Sequence, residues 1–92
     1  MKEMVDFFKA LGCEWRIRLV EILSENNKCM CEIEAEFPID KTTLSRHLKA
    51  LKDVGIVREE KVGTRKNLFI TDERVLEVIE LVKKIIEDRK FA

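Results

Sequence analysis

The cysteines are the residues with the most specific chemistry in this 92-residue chain. Cys29 and Cys31 form a Cys-x-Cys pair, and Cys13 lies closer to the amino terminus. Thiolates bind soft ions, and a trivalent arsenic or antimony centre accepts three sulfur ligands, whereas tetrahedral zinc needs a fourth ligand. We therefore expect a site for As(III), Sb(III) or a soft divalent metal ion at Cys29 and Cys31, with Cys13 as a candidate third ligand. No ion is expected to be required for folding.

Two other roles for the cysteines are open, namely small buried hydrophobic side chains and a thiol redox switch. Residues i and i+2 of a regular helix point about 200° apart. If Cys29 and Cys31 both lie in a helix, they bind one ion only when its first turn unwinds. That helix must stop at Phe37, because the residue before Pro38 is disfavoured in the α region. Because this helix leads through Pro38 into the next one, unwinding its start would also displace the next helix of the chain.

The next helix is predicted to begin after Asp40, which can cap it, and to end at Gly55. Leu44, Leu48 and Leu51 share its apolar face. The other side offers hydroxyls and cations, which suit the phosphates and base edges of a DNA major groove. Our candidate DNA contacts on this helix are Lys41, Thr42, Thr43, Ser45, Arg46, His47 and Lys49.

His47 is the only histidine and projects toward the margin of the apolar face, so a hydrogen-bonded structural role is the preferred alternative for it. A cysteine and histidine nucleophile would need an orienting third group, and we find no glycine-rich phosphate loop and no paired-carboxylate site. We therefore predict that the chain is not an enzyme. A winged-helix module that binds other proteins is a second alternative.

Positive charge is concentrated in one part of the chain, although the net charge is zero. Residues 1–40 carry 5 Lys/Arg against 9 Asp/Glu, residues 41–66 carry 8 against 3, and residues 67–92 carry 5 against 6. The basic segment includes a predicted hairpin, with strands at 56–61 and 66–70. Arg65 and Lys66 of this hairpin are added to the candidate DNA contacts. This distribution favours a double-stranded DNA operator as the partner.

The hydrophobic periodicity predicts five helices and one hairpin, a mainly α chain with a small β component. The order is helix, helix, helix, recognition helix, hairpin wing and helix, which is a winged helix-turn-helix. We expect the first helix to end near Gly12, the second to run from Glu14 to Ser24 and close at Asn26-Asn27, and the third to begin near Cys29 to Cys31. The last helix should be capped by Thr71 or Asp72 and reach about Lys90.

We expect residues 1–92 to form a single DNA-binding domain with dimerisation helices at both termini. A chain of this size buries only roughly 60–65% of its unfolded surface, so a partner subunit would add stability. The terminal helices carry more apolar residues than one core-facing stripe requires. The predicted homodimer contacts are Phe7, Phe8, Val75, Ile79, Val82 and Ile86. With no apolar run long enough for a bilayer and no signal peptide pattern, we expect a cytoplasmic protein without a membrane partner.

Three stretches together resemble the arsenic-repressor (ArsR/SmtB) family of winged-helix transcriptional repressors. They are FKALGCEWRIRLVEIL, KCMCEIE and IDKTTLSRHLKALKDVGIVREEKVGTRKNLFI, and the resemblance extends over about residues 7–71. The segment SRHLKALKDVGIV is specific for this kind of winged helix, and members that sense thiophilic metals carry a Cys-x-Cys at the CMC position. The resemblance implies a dimer that is released from its operator by a metal or metalloid.

The chain departs from the family pattern at two places. Residues 13–16 are Cys-Glu-Trp-Arg where Asp-Pro-Thr-Arg is usual, and the wing has Asn67, Leu68 and Phe69 where tyrosines are common. The family's other sensor site, formed by histidines and carboxylates of the last helix, finds Asp72 and Glu73 but no histidine here. This argues against zinc, nickel or cobalt sensing at that helix.

Overall fold

The computed structural model describes residues 1–26 and 28–89. Its helices are α1 (Lys2–Leu11), α2 (Glu14–Glu25), α3 (Met30–Glu36), α4 (Lys41–Asp53) and α5 (Arg74–Arg89). Its strands are β1 (Lys28–Cys29), β2 (Val57–Val62) and β3 (Arg65–Ile70). This is the predicted winged helix-turn-helix, with α3 and α4 as the helix-turn-helix and the β2–β3 hairpin as the wing.

The predicted apolar face of α4 is the centre of the core. Leu44, Leu48 and Leu51 are at most 2% exposed, and they belong to the same buried cluster as Leu19 of α2 and Ile33 of α3. Burial of a leucine side chain contributes about 1.5–3 kcal/mol. The three leucines therefore hold α4 with its opposite, polar side facing solvent.

The helix boundaries near α4 follow the predicted signals. Asp40 caps α4, since the backbone N–H of Thr43 donates to Asp40 Oδ2 at 3.3 Å. Gly55 follows the helix with a φ of 77°, a left-handed conformation that glycine adopts without strain. Upstream, α3 ends at Glu36 and Phe37 is extended before Pro38, as expected. The predicted positions of Asn27 and Lys90 lie outside the described residues.

The predicted hairpin is confirmed, but its turn is tighter than expected. The pairing continues to Val62 and Arg65, so only Gly63 and Thr64 form the turn, with Gly63 at a φ of 63°. The strand β1 was missed by the sequence analysis. It pairs antiparallel with β3, giving the sheet order β1-β3-β2. Two residues are too few to show an alternating pattern, so the sequence carries no signal for this strand.

Asp72 rather than Thr71 satisfies the start of α5. The backbone N–H of Arg74 donates to Asp72 Oδ1 at 2.9 Å, and the Arg74 guanidinium pairs with the same carboxylate at 2.6 Å. These hydrogen bonds lower the pKa of Asp72 to about 2. The Thr71 hydroxyl instead donates to backbone carbonyls of Gly55 and Ile56. Among the described residues, no helix combines the length and apolarity needed to cross a bilayer.

Candidate nucleic-acid interface and cysteine pair

The polar side of α4 forms a continuous exposed surface. Thr42, Ser45, Arg46 and Lys49 are all exposed, and with Lys41 they line a shallow depression of about 370 Å³. We call these five residues the α4 polar face. A surface of this chemistry on a protruding helix can donate hydrogen bonds to base edges and phosphates.

Among the described residues, the two lysines of the α4 polar face form only solvated ion pairs. Lys49 lies 2.9 Å from Asp53, and Lys41 lies 3.7 Å from Glu34, with exposed lysine side chains in both pairs. No ion pair among the described residues involves Arg46. Exposed pairs are weak, so a phosphate can replace the carboxylate partner at little cost.

Thr43 is hydrogen-bonded to Asp40 and is not among the residues of the α4 polar face, and its contact with DNA stays a prediction. Its hydroxyl donates to Asp40 Oδ1 while its backbone N–H donates to Oδ2 of the same carboxylate. These bonds hold the pKa of Asp40 below its usual value. Thr43 therefore stabilises the start of α4, and its hydroxyl is already used.

His47 forms a hydrogen bond inside the protomer, which favours the structural role stated as its alternative, and its contact with DNA stays a prediction. Its Nδ1 accepts a hydrogen bond from Arg16 Nε at 3.1 Å, across the contact between α2 and α4. Burial, and then the charge of Arg16, lower the pKa of His47. A neutral, half-buried imidazole offers no positive charge to a phosphate.

The wing presents cations at its tip. Arg65 and Lys66 of β3 are exposed, and Arg65 Nη2 lies 3.4 Å from Glu32 Oε1 of α3. On β2, the Arg58 guanidinium stacks 4.7 Å from the centre of the Phe69 ring. The aromatic side chain that replaces the family's usual tyrosine therefore supports a cation on the wing.

The structure joins Cys29 and Cys31 by a disulfide with a Cα–Cα distance of 5.4 Å. Cys29 is the extended residue that caps α3, whereas Cys31 lies in its first turn. The predicted start of the third helix near Cys29 to Cys31 is confirmed, but only Cys31 lies inside the helix. Because Cys29 precedes the helix, the two sulfurs meet without unwinding α3. Cys29 is 1% exposed, and Cys31 is exposed to solvent.

Cys13 lies at the opposite end of α2 from this pair, and its assignment as a third ligand stays a prediction. It caps the start of α2 as a free thiol, while Cys29 follows the other end of that helix. The 12 residues of α2 span about 18 Å. Within the described residues, no group of three potential metal ligands occurs.

The terminal helices expose apolar side chains, as predicted, but not all of the predicted ones. Phe8, Val82 and Ile86 are 53%, 43% and 41% exposed, respectively. Val75 and Ile79 are only 8% and 7% exposed and belong to the core of the protomer, so they offer little surface to a dimer contact. Because α5 carries apolar residues on two faces, the sequence alone does not show which face packs on the core and which is exposed. Phe7 is half-buried and packs edge-on against Phe8, with ring centres 5.6 Å apart.

Two residues with a place in this arrangement were missed by the sequence analysis. Arg16 holds His47, and Glu32 contacts both the cysteine pair and the wing. Glu32 carried a detectable signal, because Cys29-x-x-Glu32 has the spacing of a capping box. Arg16 carried none, since its partner is 31 positions away in the chain.

Comparison with known proteins agrees with this geometry. The family described as "Bacterial regulatory protein, arsR family" matches residues 13–59. An HTH-type transcriptional regulator of Methanocaldococcus jannaschii is 38% identical over 85 residues, covering 91% of this chain and 96% of that protein. A cadmium resistance transcriptional regulatory protein CadC homolog of Staphylococcus aureus is 30% identical over 91 residues, covering 98% of this chain and 74% of its own length.

A solved structure extends the likeness to the fold. The homodimeric winged helix-turn-helix DNA-binding domain Mb0332 of Mycobacterium bovis superposes with a TM-score of 0.83 at 26% identity, covering 96% of this chain and 82% of that chain. The relatives are transcriptional regulators rather than enzymes, as predicted. The chain belongs to the arsR family of bacterial regulatory proteins and is a DNA-binding transcriptional regulator.

Proposed function

We propose that this regulator is a cytoplasmic, homodimeric repressor whose affinity for its operator is controlled at Cys29 and Cys31. The α4 polar face would enter the major groove, with Arg46 and Lys49 reaching base edges or phosphates. Arg65 and Lys66 would follow the backbone or the minor groove. Support comes from the exposure of all four of these cations on the helix and wing.

The second subunit is proposed from the apolar surface of α1 and α5. Phe8, Val82 and Ile86 border a cavity of about 190 Å³ whose lining is almost entirely carbon. Exposed apolar patches of this kind favour association, and a two-fold dimer would present two copies of α4 to successive turns of DNA. The M. bovis domain, which has the same fold, is described as homodimeric.

The proposed inducer is a thiophilic ion, such as As(III), Sb(III) or Cd²⁺. The observation that carries this proposal is the meeting of two sulfurs at the start of α3, the helix that leads through Pro38 into α4. Once reduced, Cys29 and Cys31 supply two adjacent thiolates without rearrangement of α3. A third ligand would come from the solvent or the second subunit. The relation to a cadmium resistance regulator is consistent with this chemistry.

A thiol redox switch is the second candidate, and the disulfide itself favours it. In this scheme a low-molecular-weight disulfide accepts the two electrons. Its S–S bond breaks, the Cys29–Cys31 bond forms, and both thiol protons leave with the two small thiols that are released. Ion binding and oxidation have one structural consequence in common, because each bridges the two sulfurs.

A parallel titration separates the two candidates. Reduced protein is titrated with arsenite, cadmium or oxidised glutathione, and both thiolate absorption and affinity for a short DNA duplex are followed. Ion control predicts release of DNA as the thiolate–metal band appears, and redox control predicts release by oxidised glutathione alone. A Cys13→Ser variant is the control, and it should respond as the wild type does. DNA affinity that ignores all three reagents would contradict control at the cysteine pair.

A further inference from the structure

Glu32 contacts both the cysteine pair and the wing through one carboxylate oxygen. Its Oε1 accepts a hydrogen bond from the Cys29 backbone N–H at 3.2 Å and lies 3.4 Å from Arg65 Nη2. In return, the Cys29 sulfur accepts from the Glu32 backbone N–H, which completes a reciprocal cap at the start of α3. The position of this carboxylate therefore depends on the conformation of Cys29.

The sheet supplies a second connection between the same two regions. Cys29 of β1 lies opposite Asn67 of β3, and Arg65 lies two residues before Asn67, at the start of β3. Side chains two positions apart on a strand share a face of the sheet. A change in the backbone at Cys29 is therefore transmitted to the wing through the strand pairing as well as through Glu32.

Arg65 has two competing anionic partners in a DNA-binding protein of this fold. In the structure its guanidinium is paired with Glu32, yet the two side chains are 62% and 48% exposed. Such a solvated pair is weak and readily exchanged. A DNA phosphate at the tip of the wing can pair with Arg65 only when the ion pair between Arg65 and Glu32 breaks.

We propose that Glu32 is a positioning residue whose carboxylate couples the cysteine pair to Arg65 of the wing. Whether the two sulfurs are bridged or free then decides how available Arg65 is to DNA. This proposal rests on the proposed control of DNA binding at Cys29 and Cys31. A bridge between the sulfurs fixes the cap, which keeps the Glu32 carboxylate beside Arg65, where it competes with a DNA phosphate for that cation. When both thiols are free, the cap relaxes and Arg65 is released to a phosphate.

The salt dependence of DNA affinity measures whether Arg65 contacts a phosphate. Each phosphate contact adds about 0.9 to the slope of log affinity against log salt. The reduced wild-type protein should show a slope steeper than the disulfide form by about 0.9 for each wing engaged. The probe is a short nonspecific duplex, with the full chain either reduced or oxidised by oxidised glutathione.

Glu32→Gln tests the role of the carboxylate. The amide oxygen of Gln can still accept the Cys29 N–H, so the cap is kept while the charge that holds Arg65 is removed. Both redox forms of this variant should show the steeper slope of the reduced wild type. Glu36→Gln is the matched control, since it removes the same charge from α3 but its partner is Lys28, at 2.7 Å. It should keep the wild-type difference between redox forms.

Arg65→Gln tests whether Arg65 is the cation for which the Glu32 carboxylate and a DNA phosphate compete. In this variant the two redox forms should share the shallower slope, and adding Glu32→Gln should change nothing further. If the wild-type slopes differ but Glu32→Gln preserves that difference, the role of Glu32 is overturned while control by the cysteine pair stands. Equal slopes for the reduced and oxidised wild type would overturn the role of Glu32, and equal DNA affinities of the two forms would also overturn control by the cysteine pair.

Discussion

The Nε–H of Arg16 donates to His47 Nδ1 at 3.1 Å, joining α2 to the inner flank of α4. Because Nδ1 is the acceptor, the neutral tautomer that fits this bond carries its proton on Nε2. The bond is broken when the imidazole is protonated, since a doubly protonated ring has no acceptor. The orientation of α4 is thereby linked to the protonation state of one half-buried side chain.

The first prediction concerns the pH dependence of stability. The pKa of His47 in the folded protein lies below its ordinary value of 6.5, so the unfolded chain takes up the proton first as pH falls. His47 should therefore contribute fully to stability above about pH 6.5, and its contribution should fall as pH drops toward the folded pKa. Denaturant unfolding of the wild type and His47→Gln at about pH 7 and pH 5 checks this. An equal loss of stability in both proteins would exclude His47 as the source.

The second prediction separates two neighbouring threonines. Thr43→Val removes the hydroxyl bond to Asp40 and should lower the free energy of unfolding by about 1 kcal/mol. Thr42→Val alters an exposed side chain of the α4 polar face, so it should weaken DNA binding and leave stability nearly unchanged. Chemical denaturation and a DNA titration on both variants test the pair. If Thr43→Val instead weakened DNA binding and left stability unchanged, Thr43 would be a DNA contact.

The third prediction concerns the cations of the α4 polar face and the wing. Arg46→Ala should cost about 1–3 kcal/mol of operator affinity if the guanidinium reads a base. Lys66→Ala should weaken binding to every sequence alike and reduce the salt slope by about 0.9 for each phosphate that Lys66 neutralises in the wild type. Both variants must retain the thermal stability of the wild type. Unchanged DNA binding in both would remove these residues from the interface.

The fourth prediction concerns assembly. Phe8→Glu or Ile86→Glu places a charge in the proposed dry contact between subunits and should yield a folded monomer. Val62→Glu is the control, because Val62 is a similarly exposed apolar residue at the wing. Analytical ultracentrifugation should find that only the first two variants dissociate. A substitution of Ile79 would not be informative, since that side chain is part of the protomer core.

The sequence was sufficient for those features whose signals are local. Leu44, Leu48 and Leu51 recur at helical spacing, and Asp40 and Gly55 have side-chain chemistry that starts and stops a helix, so α4 was predicted within a few residues. The order of the elements followed from similar signals. Periodicity reports which face of a helix is apolar, and the single apolar face of α4 lies in the core.

The features that sequence reasoning missed depend on contacts between distant residues. The strand β1 exists because Lys28 and Cys29 pair with Leu68 and Asn67. That pairing holds Cys29 in an extended conformation outside α3 and brings its sulfur to Cys31. The predicted 200° separation of the two side chains assumed a helix at both positions. A tertiary contact thus decided the geometry of the candidate site.

The most direct test of the central claim is the DNA affinity of the double variant Cys29→Ser, Cys31→Ser with and without arsenite or oxidised glutathione. Serine is a favoured capping residue but cannot form a bridge to residue 31, so the variant should fold with α3 intact and behave as the reduced wild type although Cys29 is buried. We predict that the variant binds DNA as tightly as the reduced wild type and that neither reagent releases it, whereas at least one of them releases the wild type. Release of the double variant, or a wild type indifferent to both reagents, would contradict control of DNA binding at the cysteine pair.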